Sequence, residues 1–332
     1  MRIIMRVACI LTLVGCASDL SSPPPQLDTQ FDRHRSDVRA DASSLKLYAV
    51  NNGGNSVTAY RASATGNAAP SLTIAGSNTL LNAPINIAVS STGDILATNL
   101  GSGAVTEYAA GSNGNVAPIA AITCGGLDLP DGLALGRKTP LGKEYIYVAN
   151  LQGNSISIFN RDANGCVTKT HQISGSKTQL SRPAAVMISG SQLFVGNIDS
   201  HSITEYPTSA RGNAAPTAII SGSNTMLVNP VGLAVDASEN LYVADDSAQA
   251  IFVFAAGASG NATPKRTIAG SLTQLASPSG IVVTKSGSII VSNPPSNSIT
   301  SYPKTADGNV APARTIQGAQ TGLNFPIGLA LY

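Results

Sequence analysis

One pattern, written six times, most constrains what this chain can fold into. Residues 193–240 read LFVGNIDSHSITEYPTSARGNAAPTAIISGSNTMLVNPVGLAVDASEN, and residues 241–288 repeat the same placement of glycines, prolines and apolar triplets. An amide or acid closes one short apolar run in every copy: Asn51, Asn99, Asn150, Asn197, Asp245 and Asn293, spaced by 48, 51, 47, 48 and 48 residues. A proline opens another run at Pro84, Pro130, Pro183, Pro230, Pro278 and Pro326, spaced by 46, 53, 47, 48 and 48. The long second interval holds the extra residues of GRKTPLGKE, 136–144. Two landmarks thus define six units, and a fixed period of this length means stacked or radially arranged repeats.

Each unit contains four short runs of strand character. In the fifth, Gly280 to Thr284 is a continuous apolar run, as for a strand buried on both faces. A turn, Lys285 to Ser288, leads to Ile289–Asn293, and a second turn leads to Ser298–Tyr302. That third run alternates, which predicts a half-buried strand. A polar loop and a last run, Ala313 to Ile316, complete the unit. No window sustains a helical period. With 32 Gly, 19 Pro and only 11% charged residues, the composition suits an all-β chain rich in turns. Four antiparallel strands repeated radially predict a six-bladed β-propeller. The repeats begin at a second strand, Leu45 to Val50, and end on an isolated first strand, Ile327 to Tyr332. Pairing the two in one blade closes a ring over residues 45–332 and protects the edges that an open array exposes.

Runs such as Leu241-Tyr242-Val243-Ala244-Asp245, Ser202-Ile203-Thr204-Glu205-Tyr206 and Pro230-Val231-Gly232-Leu233-Ala234-Val235-Asp236 resemble NHL-repeat propellers across all six units. That resemblance implies the fold more than an activity, because such propellers include binding scaffolds, lyases and lactone hydrolases. A further signature, Gly-Asn-x-x-Pro, recurs at Gly66, Gly114, Gly212, Gly260 and Gly308, and the third unit departs from it with Gly165-Cys166. The glycine suits a turn with positive φ, and the Asn is placed to bond the backbone of its own loop.

The N-terminus carries an address. MRIIMR is basic, the next nine residues are mostly apolar, and Cys16 follows. Nine residues span about 14 Å as a helix, too short for a ~30 Å bilayer core, which fits a signal peptide over residues 1–15. Leu13-Val14-Gly15-Cys16 resembles the lipobox of bacterial lipoproteins, which implies cleavage before Cys16 and lipidation there. Ala17 in place of Asp favours the outer membrane if the host is Gram-negative. Residues 16–44 are polar, contain a proline triplet, and are expected to form a disordered tether from the membrane. Without the signal, 18 basic residues face 18 acidic ones, so no electrostatic footprint for nucleic acid exists.

Candidate site residues come from the ring and from breaks in its symmetry. Asn51, Asn99, Asn150, Asn197, Asp245 and Asn293 form either a polar rim for a ligand or a recurring turn device bonded through the side chain. The residues after the prolines are Ile85, Asp131, Ala184, Val231, Ser279 and Ile327, and only Asp131 is charged. Asp131, Asp245 and Asp246 could together hold one hard cation such as Ca²⁺, although no cofactor is expected. Lactone hydrolases of propeller type hold a divalent metal at the channel mouth, but the inner runs here contain no Glu. Glu107 and Glu205 lie two units apart, His171 and His201 lack zinc-like companions, and no nucleophile elbow is present. Tyr60, Tyr108, Tyr206 and Tyr302 close the third runs as core packing or an outer aromatic band. The reading that follows is a lipid-anchored, non-catalytic scaffold for a protein, peptide or glycan; a metal-dependent lactone hydrolase or a lyase is the alternative. Outside the signal and lipid sites, Cys124 and Cys166 remain. An oxidising compartment favours pairing, whereas the strand assignment puts them on opposite faces, beyond the ~7 Å Cα limit.

Overall fold

The computed structural model describes residues 45–136 and 144–332. The signal, Cys16 and the tether lie outside these residues, as do residues 137–143. The described chain forms six four-stranded antiparallel sheets. Blade 1 is built from β1 (Lys46–Asn51), β2 (Ser56–Arg61) and β3 (Leu72–Ala75), with β24 (Pro326–Leu331) as its inner strand. Blade 2 runs from β4 (Pro84–Val89) through β5 (Ile95–Asn99) and β6 (Ala104–Tyr108) to β7 (Ala120–Ile122). Blades 3 to 6 start at β8 (Pro130–Leu135), β12 (Pro183–Ser189), β16 (Pro230–Val235) and β20 (Ile281–Val283). They end at β11 (His171–Ser174), β15 (Ala218–Ile220), β19 (Arg266–Ala269) and β23 (Arg314–Ile316).

Ring closure follows the expected route. The last strand pairs with the first in the register Leu47↔Leu331, Tyr48↔Ala330 and Ala49↔Leu329, and the Lys46 amide donates to the Tyr332 carbonyl at 2.7 Å. The core is six apolar wedges between neighbouring blades rather than one central mass. Alternate side chains of one strand serve different wedges, because successive residues point to opposite faces. Tyr48 and Val50 pack toward blade 2, while Leu47 and Ala49 pack toward blade 6.

Burial across a blade differs from the sequence expectation. The third strands are not half-buried: β22 (Ser298–Tyr302) is buried at every position, polar residues included. Blades flank it on both sides, so its alternation separates hydroxyls from apolar groups rather than water from core. The inner strands are the partly exposed ones, since one face lines the central channel; in β4, Ile85, Asn86, Ala88 and Val89 are only half-buried. Adjacent inner strands approach closely where each channel wall begins. A Cβ on Gly232 would lie 1.9 Å from the Ser279 carbonyl oxygen.

Neighbouring blades are joined at their outer strands by a repeated device, in addition to turn side chains such as Asn55, whose Oδ1 accepts from the Ala83 amide at 2.7 Å. Each outer strand makes a single parallel bridge to the glycine of the next blade's Gly-Asn loop (Gly165-Cys166 in blade 3): Ile74↔Gly114, Ile122↔Gly165, Ile173↔Gly212, Ile220↔Gly260, Ile268↔Gly308 and Ile316↔Gly66. The Asn does not bond its own loop, as the sequence suggested. Asn115 Oδ1 accepts from the Asn78 amide of the preceding blade at 2.8 Å. Asn67, Asn213, Asn261 and Asn309 accept from Gln320, Lys177, Asn224 and Leu272 at 2.7 Å. The residue facing each Asn must be glycine: Gly76 has φ 122°, and a Cβ there would lie 2.5 Å from Asn115 Cγ.

The interface between blades 2 and 3 uses different chemistry, and here the expected separation of the cysteines is corrected. Cys124 and Cys166 form a disulfide, with Cα atoms 4.9 Å apart. The parallel bridge of Ile122 to Gly165 brings their backbones side by side, which strand direction within each blade did not reveal. By alignment of the repeats, Cys124 occupies the glycine position of Gly76 and Cys166 the position of Asn115. The covalent pair therefore replaces the Gly–Asn clamp at one of the six interfaces.

Two outcomes are expected. Deleting residues 328–332 removes most of β24 and should abolish the cooperative unfolding transition; a soluble deletion with unchanged melting would refute closure. Cys166→Ser should lower stability by about 2–4 kcal/mol in denaturant titrations. The double change Cys124→Gly/Cys166→Asn, which rebuilds the common clamp, should recover part of that loss.

Candidate functional site

The six ring residues do not form a rim open to ligand. Asn51, Asn99, Asn150, Asn197, Asp245 and Asn293 are all 0% exposed. Each of the five Asn instead ties the loop that enters its own blade to the third strand. Asn99 Oδ1 accepts from the Asn82 amide at 3.1 Å, and its Nδ2 donates to Thr106 Oγ1 at 3.0 Å. Asn51, Asn150, Asn197 and Asn293 repeat this with Asn324, Asp128, Ser181 and Ala276 as donors and Thr58, Ser157, Thr204 and Thr300 as acceptors. Tyr108 completes the set by donating to the Thr79 carbonyl at 2.6 Å; Tyr60, Tyr206 and Tyr302 make the same bond with Thr321, Thr178 and Thr273. These tyrosines are buried, and desolvation pushes their hydroxyls up to about 12. They are core groups, not an outer aromatic band.

Blade 5 departs from this scheme at three linked positions. Asp245 replaces Asn, Phe252 replaces the Thr seven residues on, and Phe254 replaces the Tyr. A carboxylate cannot donate and here needs no acceptor. Its oxygens take amides from Val228 at 2.8 Å, Asn229 at 2.9 Å and Ala248 at 3.0 Å. Asp245 is thereby occupied by backbone. Asp246 points elsewhere, accepting from Asn229 Nδ2 at 2.6 Å and Ser247 Oγ at 2.9 Å. Among the described residues, no three His, Cys, Asp or Glu side chains converge as a metal-binding group, so Asp131, Asp245 and Asp246 do not form one triad.

Asp131 and Asp246 do share a site, since both line the central channel. This cavity of 680 Å³ runs between the inner strands of all six blades. Its wall is largely aliphatic, including Ile87, Leu133, Met187, Leu233, Ile281 and Leu329. Asp131 is the second residue of β8, near the end where Asn229, Pro294, Pro295 and Phe325 stand. Its main chain is fixed by the Thr98 hydroxyl of blade 2, which donates to the Asp131 carbonyl at 2.6 Å. Burial pushes its carboxyl up to about 7, and the Arg182 charge opposes that rise. Arg182 itself pairs with Asp199 at 3.2 Å.

The other titratable candidates are held in the fold and are not brought together. Glu107 is gripped by both Nη atoms of Arg161, across the blade 2–3 interface, with Asp94 and Glu144 each 3.6 Å from the same guanidinium. Glu205, two blades on, is half-buried, and desolvation raises its carboxyl. The His201 Nδ1 donates to the Val228 carbonyl, and the His171 ring lies 6.1 Å from that of Tyr145. What sequence reasoning missed is the apolar setting of the channel mouth. Phe325, 42% exposed, and the exposed Leu129 and Val228 lie on the loops leading into inner strands. Their exposure depends on loop conformation: Leu129 and Phe325 precede prolines yet adopt φ 50° and 55°.

No family model matches the sequence, and no curated protein matches it. Solved structures do. The chain is similar to one in a nidogen/laminin complex, at 14% identity and TM-score 0.60, covering 87% of this chain and 98% of the other. It is also similar to a protein of unknown function from Bacteroides caccae, at 9% identity and TM-score 0.59, covering 86% and 98%. A streptogramin B lyase aligns at 17% identity and TM-score 0.48, over 78% and 85%. At these identities the shared property is the six-bladed propeller fold.

The Asp131 carboxyl makes stability depend on pH. Its folded value of about 7 lies above the ordinary aspartate value of 3.8, so the folded state holds the proton more tightly. The associated stability is fully present below 3.8 and is lost as pH rises through about 7. Asp131→Asn should therefore raise the melting temperature relative to wild type more at pH 8 than at pH 4. An equal effect at both pH values would contradict the assignment.

Proposed function

We propose that the propeller is a non-catalytic binding module of the bacterial cell envelope. In this reading it is held by lipid on Cys16, with the outer membrane as its site in a Gram-negative host, and its kinship is with NHL-repeat propellers. One observation carries the proposal: the channel opens at an apolar mouth, marked by Phe325 and Pro294–Pro295, with Leu129 and Val228 exposed on neighbouring entry loops. Exposed apolar groups gathered around the opening of a cavity mark a site of association. A protein or peptide is favoured over a glycan, because sugars stack on aromatic faces and Phe325 is the one aromatic residue lining this channel. The residues that repeat in every blade support a scaffold role, since their polar groups are consumed in holding loops.

The test is site-specific photo-cross-linking in cells. A photoreactive phenylalanine analogue replaces Phe325, or Ser286 on the turn at the other end of an inner strand. A discrete protein adduct from position 325 and not from 286 is expected. No adduct from 325, or the same adduct from both positions, would overturn the reading.

A further inference from the structure

The channel below the mouth has a chemistry of its own. Of its 34 lining residues two are acids, Asp131 and Asp246, and none is Lys, Arg or His. Asp246 is engaged by Asn229 and Ser247. Among the described residues, the Asp131 side chain makes no hydrogen bond to a protein group, and its residue is anchored through the main chain. Elsewhere on the channel lining, among the described residues, the Asn229 Oδ1 is a buried acceptor without a partner, while the same amide's nitrogen is committed to Asp246. Unpaired acceptors next to a low-polarity cavity leave a cost that a donor-bearing ligand would offset. Away from this end the wall is hydrocarbon: Leu133 and Leu135 from blade 3, Val235 from blade 5, Val283 from blade 6 and Leu331 from blade 1.

The geometry points to a second binding site, inside the channel, for a small alkylammonium. We propose that the cation is held by the Asp131 carboxylate, while the hydrocarbon tail lies along the inner strands. A strand of six residues is about 20 Å long, so the aliphatic wall can cover a chain of several carbons. Each buried methylene would add about 0.8 kcal/mol of the hydrophobic driving force. The site uses the unpaired group and the apolar wall together, and it is independent of any partner at the outer rim. An alkyl carboxylate of the same length would meet two acids on the channel wall, while Arg182, whose charge reaches Asp131, is already paired with Asp199. The neutral alcohol would gain the tail contacts without the ion pair.

The experiment is calorimetric titration of the full-length protein at pH 8 with hexylamine, hexanol and hexanoate. Hexylamine should bind at least about tenfold more tightly than hexanol, as a charge-assisted contact predicts, and hexanoate should not bind. Asp131→Asn should erase the difference between amine and alcohol. Asp131→Ser, the residue that blade 6 carries at this position as Ser279, provides a second variant of proven compatibility with the repeat. Equal affinities for amine and alcohol in the wild type, or an amine preference that survives both substitutions, would overturn the site. Cross-links from position 325 report on the outer face separately, so either assignment can fail while the other stands.

Discussion

The structure depends on holding each blade to the next without a continuous sheet. The sheet ladder ends at the outer strand of every blade, and from there one parallel bridge reaches the next blade. The Gly–Asn clamp supplies what the ladder cannot: a side-chain oxygen that accepts from the loop joining the preceding blade to its own at 2.7–2.8 Å. Apolar wedges provide the bulk of the driving force, but they are non-directional. The clamp adds a directional contact between blades. Any chemistry substituting for it must span the same gap, and the disulfide between Cys124 and Cys166 does so at one interface.

Inside each blade a second set of polar contacts plays the same part. A buried Asn, a hydroxyl seven residues later and usually a Tyr two further on hold the entry loop, and every member is satisfied. Buried polar groups are costly unless paired, so the set changes as a unit. Blade 5 shows this, where acid, Phe252 and Phe254 occur together and the loop amides meet a carboxylate instead. Blade 3 shows a partial exchange: Phe159 removes the tyrosyl donor, and Ser157 Oγ donates to the Gly126 carbonyl at 2.8 Å. Symmetry breaking in this chain therefore takes more than one form. Asp245 is held by backbone amides; Asp131 lines the channel, and its carboxyl accepts no hydrogen bond among the described residues.

The fold was legible because periodicity is a one-dimensional signal. Landmarks such as Asn99 and Pro130 place every strand, and the missing first strand of blade 1 is supplied visibly by the tail. The inter-blade contacts were not legible in the same way. Asn115 and Cys166 act on residues about 40 positions away in the preceding blade, and strand direction within a blade predicts nothing about that contact. Aligning Cys124 with Gly76 and Cys166 with Asn115 would have revealed the exchange, since both members of one pair change together. Of the site, Asp131 stood out because five equivalents are uncharged. The fate of Asp245 was hidden, because an acid among amides looks the same whether it faces a ligand or three backbone amides.

The disulfide interface makes the repeats non-equivalent as modules. A blade bearing Gly and Asn at its two contact positions fits before or after any other of its kind. Blade 3 presents Cys166 to its predecessor and an ordinary glycine, Gly175, to its successor, while blade 2 does the reverse with Asn115 and Cys124. The two are therefore keyed to each other, and the order of the ring has a fixed starting mark. Duplication or exchange of single blades would tolerate loss or gain of the others, but would have to move blades 2 and 3 as a pair or restore the clamp at both sites together.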